Sequence, residues 1–189
     1  MKFFALITFV LTIPFCKVWA YTVKDANGNV FEFAKPPRSA TLVPAVSQNI
    51  FAIGADENLI ANSRFCNIPE GAKKKIKIGG FIDPDYEKIL AIEPDIVIVS
   101  KTNDSRIEKR LKKLGIKSFV LHGEGIEFIS ADVRMLGKLF QKEEMANKIG
   151  VSVSYYSKVE GGFKQAGRGF IDKFTKAFPH NNIDIFFKK

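Results

Sequence analysis

Glu93-Pro94-Asp95-Ile96-Val97-Ile98-Val99-Ser100, followed by Ile107, Leu111 and Leu114 and then by Ile116-Lys117-Ser118-Phe119-Val120-Leu121, decides the fold. Ile96 to Val99 is a continuous apolar run, the pattern of a strand buried on both faces of a parallel sheet. Ile107, Leu111 and Leu114 fall on one face of a helix that ends at Gly115. Ile116 to Leu121 is the next strand. Two apolar strands joined by an amphipathic helix make a βαβ unit, so the fold class is α/β, with helices packed on a parallel sheet.

Upstream, Asp83-Pro84 starts a helix: Asp accepts the free amides, and proline costs nothing at the first helical position. Tyr86, Ile89 and Leu90 form its buried stripe, and Glu93-Pro94 closes it. Ala40 to Val43 is a short buried strand. A helix from Ser47 follows, with Ile50, Phe51 and Ile53 as its apolar face and Gly54 as its stop. Leu59-Ile60-Ala61 is another strand. The stretch from Asn62 to Ile82 is long for a connector and is a candidate functional loop. Tyr21 to Phe33 alternates around Asn27-Gly28, a two-residue hairpin signal, and Pro36-Pro37 ends the hairpin.

Downstream the pattern is helical from Ile126. Phe128, Ile129, Val133, Leu136 and Phe140 recur at helical spacing, and Gln141-Lys142-Glu143 bends or restarts the helix. Met145, Ile149 and Val153 continue the stripe up to Gly161-Gly162. Phe163 to Lys189 holds one short helical stretch and the apolar tail Ile183-Asp184-Ile185-Phe186-Phe187, too little for a second domain.

Met1-Lys2, the apolar run Phe3 to Phe15 and Val18-Trp19-Ala20 read as a signal peptide over residues 1–20, cleaved after Ala20. The apolar run is shorter than the ~20 residues of a spanning helix. An exported, periplasmic or extracytoplasmic product is expected. The formal net charge of +9 is reduced by the loss of Lys2 and Lys17, and the remaining basic residues lie scattered. Lys73-Lys74-Lys75 is the only run of three, and nothing resembles a nucleic-acid groove. Cys16 leaves with the leader, so Cys66 is a lone thiol and no disulfide framework exists.

No phosphate loop, HExxH or nucleophile elbow occurs, and no catalytic residue, metal site or cofactor is expected. One Cys and two distant histidines cannot build a Cys–His cluster. His122 at a strand end and His180 in a turn read as solvated or structural. Asp83 with Asp85, and Glu143 with Glu144, stand at helix starts, where capping and the helix dipole account for them.

The placed segments carry a resemblance. Ala40-Thr41-Leu42-Val43-Pro44-Ala45-Val46-Ser47-Gln48-Asn49-Ile50-Phe51-Ala52-Ile53-Gly54-Ala55 is similar to the opening strand, loop and helix of the cobalamin and ferric-siderophore binding proteins of ABC importers, the class with a helical backbone between its lobes. Phe65-Cys66-Asn67-Ile68-Pro69 with Ile78-Gly79-Gly80-Phe81 resembles their ligand-facing loop. Asp83-Pro84-Asp85-Tyr86-Glu87-Lys88-Ile89-Leu90 and Glu93-Pro94-Asp95-Ile96-Val97-Ile98 resemble their helix-then-strand signature. Leu111-Lys112-Lys113-Leu114-Gly115-Ile116 and Met135-Leu136-Gly137-Lys138-Leu139 extend the likeness, which runs from about Tyr21 to Glu160.

The resemblance implies an N-terminal ligand-binding lobe over residues 21–141, a hinge helix over 142–160 and a remnant of the second lobe over 161–189. It implies a corrinoid or ferric-siderophore ligand held by Phe65 and Phe81 as flat apolar faces. Pro44, Ala45, Val46, Arg64, Gly80, Ser100 and Lys101 would line the rim, with Arg64 or Lys101 neutralising anionic ligand groups. The permease is the implied protein partner, docking at the first-lobe helix where the family often carries a glutamate. Gln48 stands there and removes that charge. Ala166-Gly167-Arg168-Gly169-Phe170-Ile171-Asp172 resembles a turn and helix early in the second lobe, which is otherwise largely missing. Lys173 follows where an acidic docking residue is expected. The chain therefore reads as a truncated, functionally impaired importer binding protein. A one-lobed exported protein-interaction module is the alternative.

Overall fold

The computed structural model describes residues 20–103, 105–123 and 126–149. An antiparallel hairpin comes first, β1 (Tyr21–Lys24) against β2 (Val30–Phe33), with Tyr21 opposite Phe33 and Lys24 opposite Val30. Its connection spans Asp25 to Asn29 instead of a two-residue turn at Asn27-Gly28. Asp25 is the reason: its buried carboxylate accepts from Asn27 N (2.9 Å), Asn29 N (2.8 Å) and Asn29 Nδ2 (2.9 Å), which organises a wider loop. Gly28 supplies the positive φ of 82° that this loop needs. The loop reaches across to Val120, where Ala26 N–H donates to the carbonyl at 2.8 Å and Asp25 Oδ2 accepts from the amide at 3.4 Å.

The main sheet contains β3 (Ser39–Thr41), β4 (Leu59–Asn62), β5 (Ile76–Lys77), β6 (Ile96–Ser100) and β7 (Ser118–Leu121), all parallel, in the order β5-β4-β3-β6-β7. The chain builds outward from β3 to β5, then crosses back and builds the other way through β6 and β7. The winding direction therefore reverses between β3 and β6. All of β6 is buried, as its unbroken apolar sequence predicts for a central strand with both faces covered.

The pleat sorts that strand between two cores. Ile96 and Ile98 join Phe119 and Leu121 under α1 (Pro44–Ala52) and α5 (Ile126–Leu139), which contribute Val46, Ile50, Val133 and Leu136. Val97, Val99 and Val120 face the opposite side with Ile89 of α3 (Tyr86–Ala91) and Ile107 and Leu111 of α4 (Ser105–Lys113). Helices thus cover both sides of the sheet, as the βαβ reading requires. Ala146 and Ile149 of a further helical stretch, residues 143–149, close the first core.

Several boundaries differ from the sequence expectation, each for a local reason. α1 starts at Pro44, three residues before Ser47, because proline fits the first helical position. α3 is capped by Asp85 rather than Asp83: Asp85 Oδ1 accepts from Lys88 N at 3.0 Å, while Pro84 is held in a bridge with Gly79. Leu90 is 43% exposed and only Ile89 is fully buried, since this six-residue helix shows the sheet a single turn. The long connection from Asn62 contains a helical turn, α2 (Glu70–Lys73), and the strand β5. Met145 is exposed and Ala146 takes its place in the stripe. Gln141, at φ 55°, stops one helix and re-phases the next.

Among the described residues no helix is long and apolar enough to cross a membrane. The expected leader up to Trp19, the hinge beyond Ile149 with Val153, and the remnant 161–189 with His180 and the apolar tail lie outside the described residues.

Candidate functional site

Parallel strands release their chain at one common edge, and a reversal of winding leaves a crevice there because adjacent connections leave in opposite directions. In this chain the edge receives the segments that follow β3 through β7. Arg64 and Phe65 come from the segment after β4, Gly80 and Phe81 from that after β5, and Lys101, Thr102 and Asn103 from that after β6. His122 and Gly123 follow β7.

The first two segments are locked together. Arg64 N–H donates to Gly79 O at 2.8 Å, the Arg64 guanidinium pairs with the Asp83 carboxylate, and its carbon lies 5.3 Å from the centre of the Phe65 ring. Gly79 has φ 90°, and a side chain there would strike Asp83 O and Asp85 N at 2.6 Å. At Gly80 a Cβ would meet Asp83 Oδ1 at 2.4 Å, Arg64 Nη2 at 3.1 Å and Phe65 Cε2 at 3.1 Å. The glycine pair thus lets backbone lie directly beneath the arginine and the ring. Phe65 is 58% exposed, and Ile68 beyond it and Ile82 beside Phe81 are exposed as well. An aromatic side chain left this open at a strand-end edge offers a flat apolar surface.

Phe81 is half-buried, and its carbonyl accepts from Asn103 Nδ2 at 3.2 Å, which links the β5 segment to the β6 segment. Asn103 also receives Ser100 N–H at 2.8 Å on its side-chain oxygen and sends its own N–H to Ser100 O at 2.9 Å. Ser100 is buried, with its hydroxyl 2.7 Å from Thr102 Oγ1, whereas Lys101 and Thr102 are exposed. The wall continues to β7: an ideal Cβ on Gly123 would lie 1.9 Å from Ser100 Oγ. Phe65, Gly80, Phe81, Asn103, Ser100 and Gly123 therefore form one chain of contacts along the edge.

Pro44, Ala45 and Val46 form the first turn of α1 rather than a free loop. The Val46 side chain is buried in the core at 5% exposure, so only its backbone can meet a ligand. Ala45 and Gln48 are exposed. Asn103 and Asp132 escaped the sequence reading. A Thr-Asn pair directly after a buried strand is a turn signal that could have marked Asn103, but Asp132 contacts residues ten positions away and carries no local sign.

Two groups support the edge from below. Lys77 Nζ donates to Asn62 Oδ1 (2.8 Å), Cys66 O (3.0 Å) and Ala72 O (2.9 Å), tying the β4–β5 connection onto the strand ends. Cys66 is buried, and desolvation pushes its thiol up from the ordinary range, outweighing a hydrogen bond from Ser47 and the nearby Lys77 charge. A buried thiol of that kind is a packing group rather than a nucleophile.

The fold is a doubly wound α/β lobe with an exposed aromatic ring on the edge where its strands end. The chain belongs to the periplasmic binding protein family, whose sequence profile matches residues 40–153, more than half of the chain. It is 26% identical over 138 residues to the vitamin B12-binding protein of Pectobacterium carotovorum, covering 72% of this chain and 49% of that protein. The periplasmic vitamin B12 binding protein of Vibrio cholerae superposes with a TM-score of 0.60 at 21% identity, over 65% of this chain and 49% of that one. A periplasmic heme binding protein from Pseudomonas aeruginosa does so with a TM-score of 0.59 at 18% identity, over 75% and 50%. The family resemblance and the α/β lobe expected from the sequence agree with these matches. The chain spans about half the length of the relatives it matches.

Proposed function

We propose that this chain is a substrate-binding component of an ABC importer, exported to the periplasm, that receives a corrinoid or ferric siderophore on the carboxyl edge of its sheet. The observation that carries the reading is the exposed Phe65 ring, backed by Arg64 and seated over Gly80 at the edge where the strands end. Capturing such a ligand takes flat apolar contact and a few fixed polar groups, and no bond-making chemistry.

Phe65 and Phe81 supply the flat contact. Arg64 and Lys101 meet anionic groups, the backbone around Gly80 and Pro44 to Val46 shapes the rim, and Ser100 holds the β6 turn in place. Gln48, exposed on α1, occupies the expected permease-facing position without a charge. The vitamin B12-binding relatives support the corrinoid reading. Residues 21–141 are the proposed lobe and 142–160 the proposed hinge.

Calorimetric titration with cyanocobalamin and with ferrichrome tests the reading. Phe65→Ala should weaken whichever ligand binds by ~0.5–1.5 kcal/mol beyond lost area, with an unchanged melting temperature. No heat with either ligand, together with a stable complex formed with another protein in their absence, would replace this reading with that of an interaction module.

A further inference from the structure

We propose that the outward face of α4 is an adhesion surface for an anionic phospholipid bilayer, separate from the strand-end edge and independent of what that edge holds.

α4 carries five basic residues, Arg106, Lys109, Arg110, Lys112 and Lys113, against one acid, Glu108. At about 100° per residue, Ile107 and Leu111 share the side pressed into the core, which leaves Arg106, Lys109, Lys112 and Lys113 on the opposite side. All four are exposed, whereas Glu108 is half-buried on the flank. Arg110 leans onto α3, its guanidinium carbon 5.9 Å from the centre of the Tyr86 ring, and widens the basic surface in that direction.

Ordinary helix energetics do not call for this arrangement. Lys73, Lys88 and Lys148 each reach a carboxylate about one turn away, at 2.8, 3.1 and 2.7 Å. Lys109, Lys112 and Lys113 form no ion pair among the described residues. Lys109 instead stands three and four residues from two like charges, a spacing that opposes the helix. The macrodipole favours Lys112 and Lys113 in the last turn, but it disfavours Arg106 in the first.

The same face selects a bilayer over a protein partner. Ile107 and Leu111 lie in the core, and no large apolar side chain of α4 is exposed. Protein interfaces concentrate their binding in aromatic and apolar anchors and are poor in lysine. Ammonium groups on flexible stems suit a diffuse layer of phosphates. Without an apolar face to bury, the contact stays among the headgroups and does not insert. α4 packs on one side of the sheet, so adhesion through it leaves the strand-end edge uncovered.

Flotation of the purified chain with vesicles is the test. An equal mixture of phosphatidylglycerol and phosphatidylcholine should carry the chain, and phosphatidylcholine alone should not. Raising the salt from about 0.1 to about 1 M, which shortens the Debye length from ~10 to ~3 Å, should release it. The combined variant Lys109→Gln, Lys112→Gln, Lys113→Gln should lose on the order of a hundredfold in partition, with a melting temperature close to wild type. Lys109→Gln and Lys113→Gln alone should each lose about fivefold, a reading that does not depend on the combined variant folding. Removing the same charge elsewhere, with Lys24→Gln, Lys73→Gln and Lys74→Gln, should change partition only slightly. No flotation with the anionic vesicles, equal flotation with both vesicle types, salt-resistant binding, or equal loss in the two combined variants overturns the assignment. Retention on polyglutamate without vesicle binding also overturns it, in favour of an acidic protein partner.

Discussion

Tyr21 joins the hairpin to the end of α5 through one hydroxyl, which donates to Leu139 O at 2.6 Å. Burial, and secondarily the Glu143 carboxylate, push this phenol up to about 12. The native state then keeps a proton that an unfolded tyrosine loses near pH 10. The unfolded chain binds fewer protons in that window, so this group's stabilisation is complete below pH 10 and drains away between 10 and about 12. Tyr21→Phe should cost ~1 kcal/mol near neutrality and flatten the decline above pH 10; urea melts at pH 7, 9.5 and 11 would show both. Gly80→Ala makes a different prediction. Its new methyl collides first with Asp83 Oδ1, the end of an exposed side chain, so folding should survive. The Arg64–Asp83 pair and Phe65 would have to move, and ligand affinity should fall several-fold with a melting temperature close to wild type. An unchanged titration would show that the precise seating of Phe65 is immaterial.

Lys77 does for the β4–β5 connection what a packed core does for a longer element. The segment between the two strands buries little, with Ser63, Cys66 and Ala72 its fully enclosed side chains, and its order depends on three acceptors around one ammonium group. Lys77→Met keeps the stem and removes the donors. It should destabilise the chain by about 2 kcal/mol and accelerate amide exchange across residues 63–75, leaving β6 protected. Uniform loss of protection would mean that this connection and the sheet unfold as one unit. The same comparison explains which elements were legible. β6, α4 and β7 are visible in sequence because burial on both faces, or on one stripe, writes itself into periodicity. α2 and β5 are not: two to four residues hold no period, and their order comes from Lys77 reaching acceptors 5 to 15 positions away. The α1 start was blurred because Pro44 satisfies a helix entrance as well as a turn, and the Asp83-Asp85 pair offered two caps where tertiary contact at Pro84 selected one.

On the scale of the whole molecule, parallel pairing follows from the βαβ pattern, but the return of β6 to the far side of β3 does not. Only the assembled sheet reveals the reversal, and with it why Phe65, Phe81 and Lys101, spread over three segments, belong to one edge. The resemblance located these residues; the physical reason came from topology. If the edge holds ligand, bound cyanocobalamin should slow amide exchange at residues 64–66, 79–82 and 101–103. It should leave the opposite edge, where Asp95 N–H meets Arg38 O and Gly115 ends α4, unchanged. Protection confined to that opposite edge would relocate the site. The Asp25 loop has a further consequence. Val97 N–H goes to Lys117 O and Lys101 N–H to Leu121 O, so Val120 directs its amide and carbonyl away from β6. Unpaired groups on an outer strand are a template for another chain to add to the sheet. Ala26 and Asp25 occupy both groups, and β5 at the other margin is only two residues long. Among the described residues the outward-facing groups at the middle of β7 are thus already taken, so the hairpin acts as a guard against self-templated aggregation as much as a part of the core.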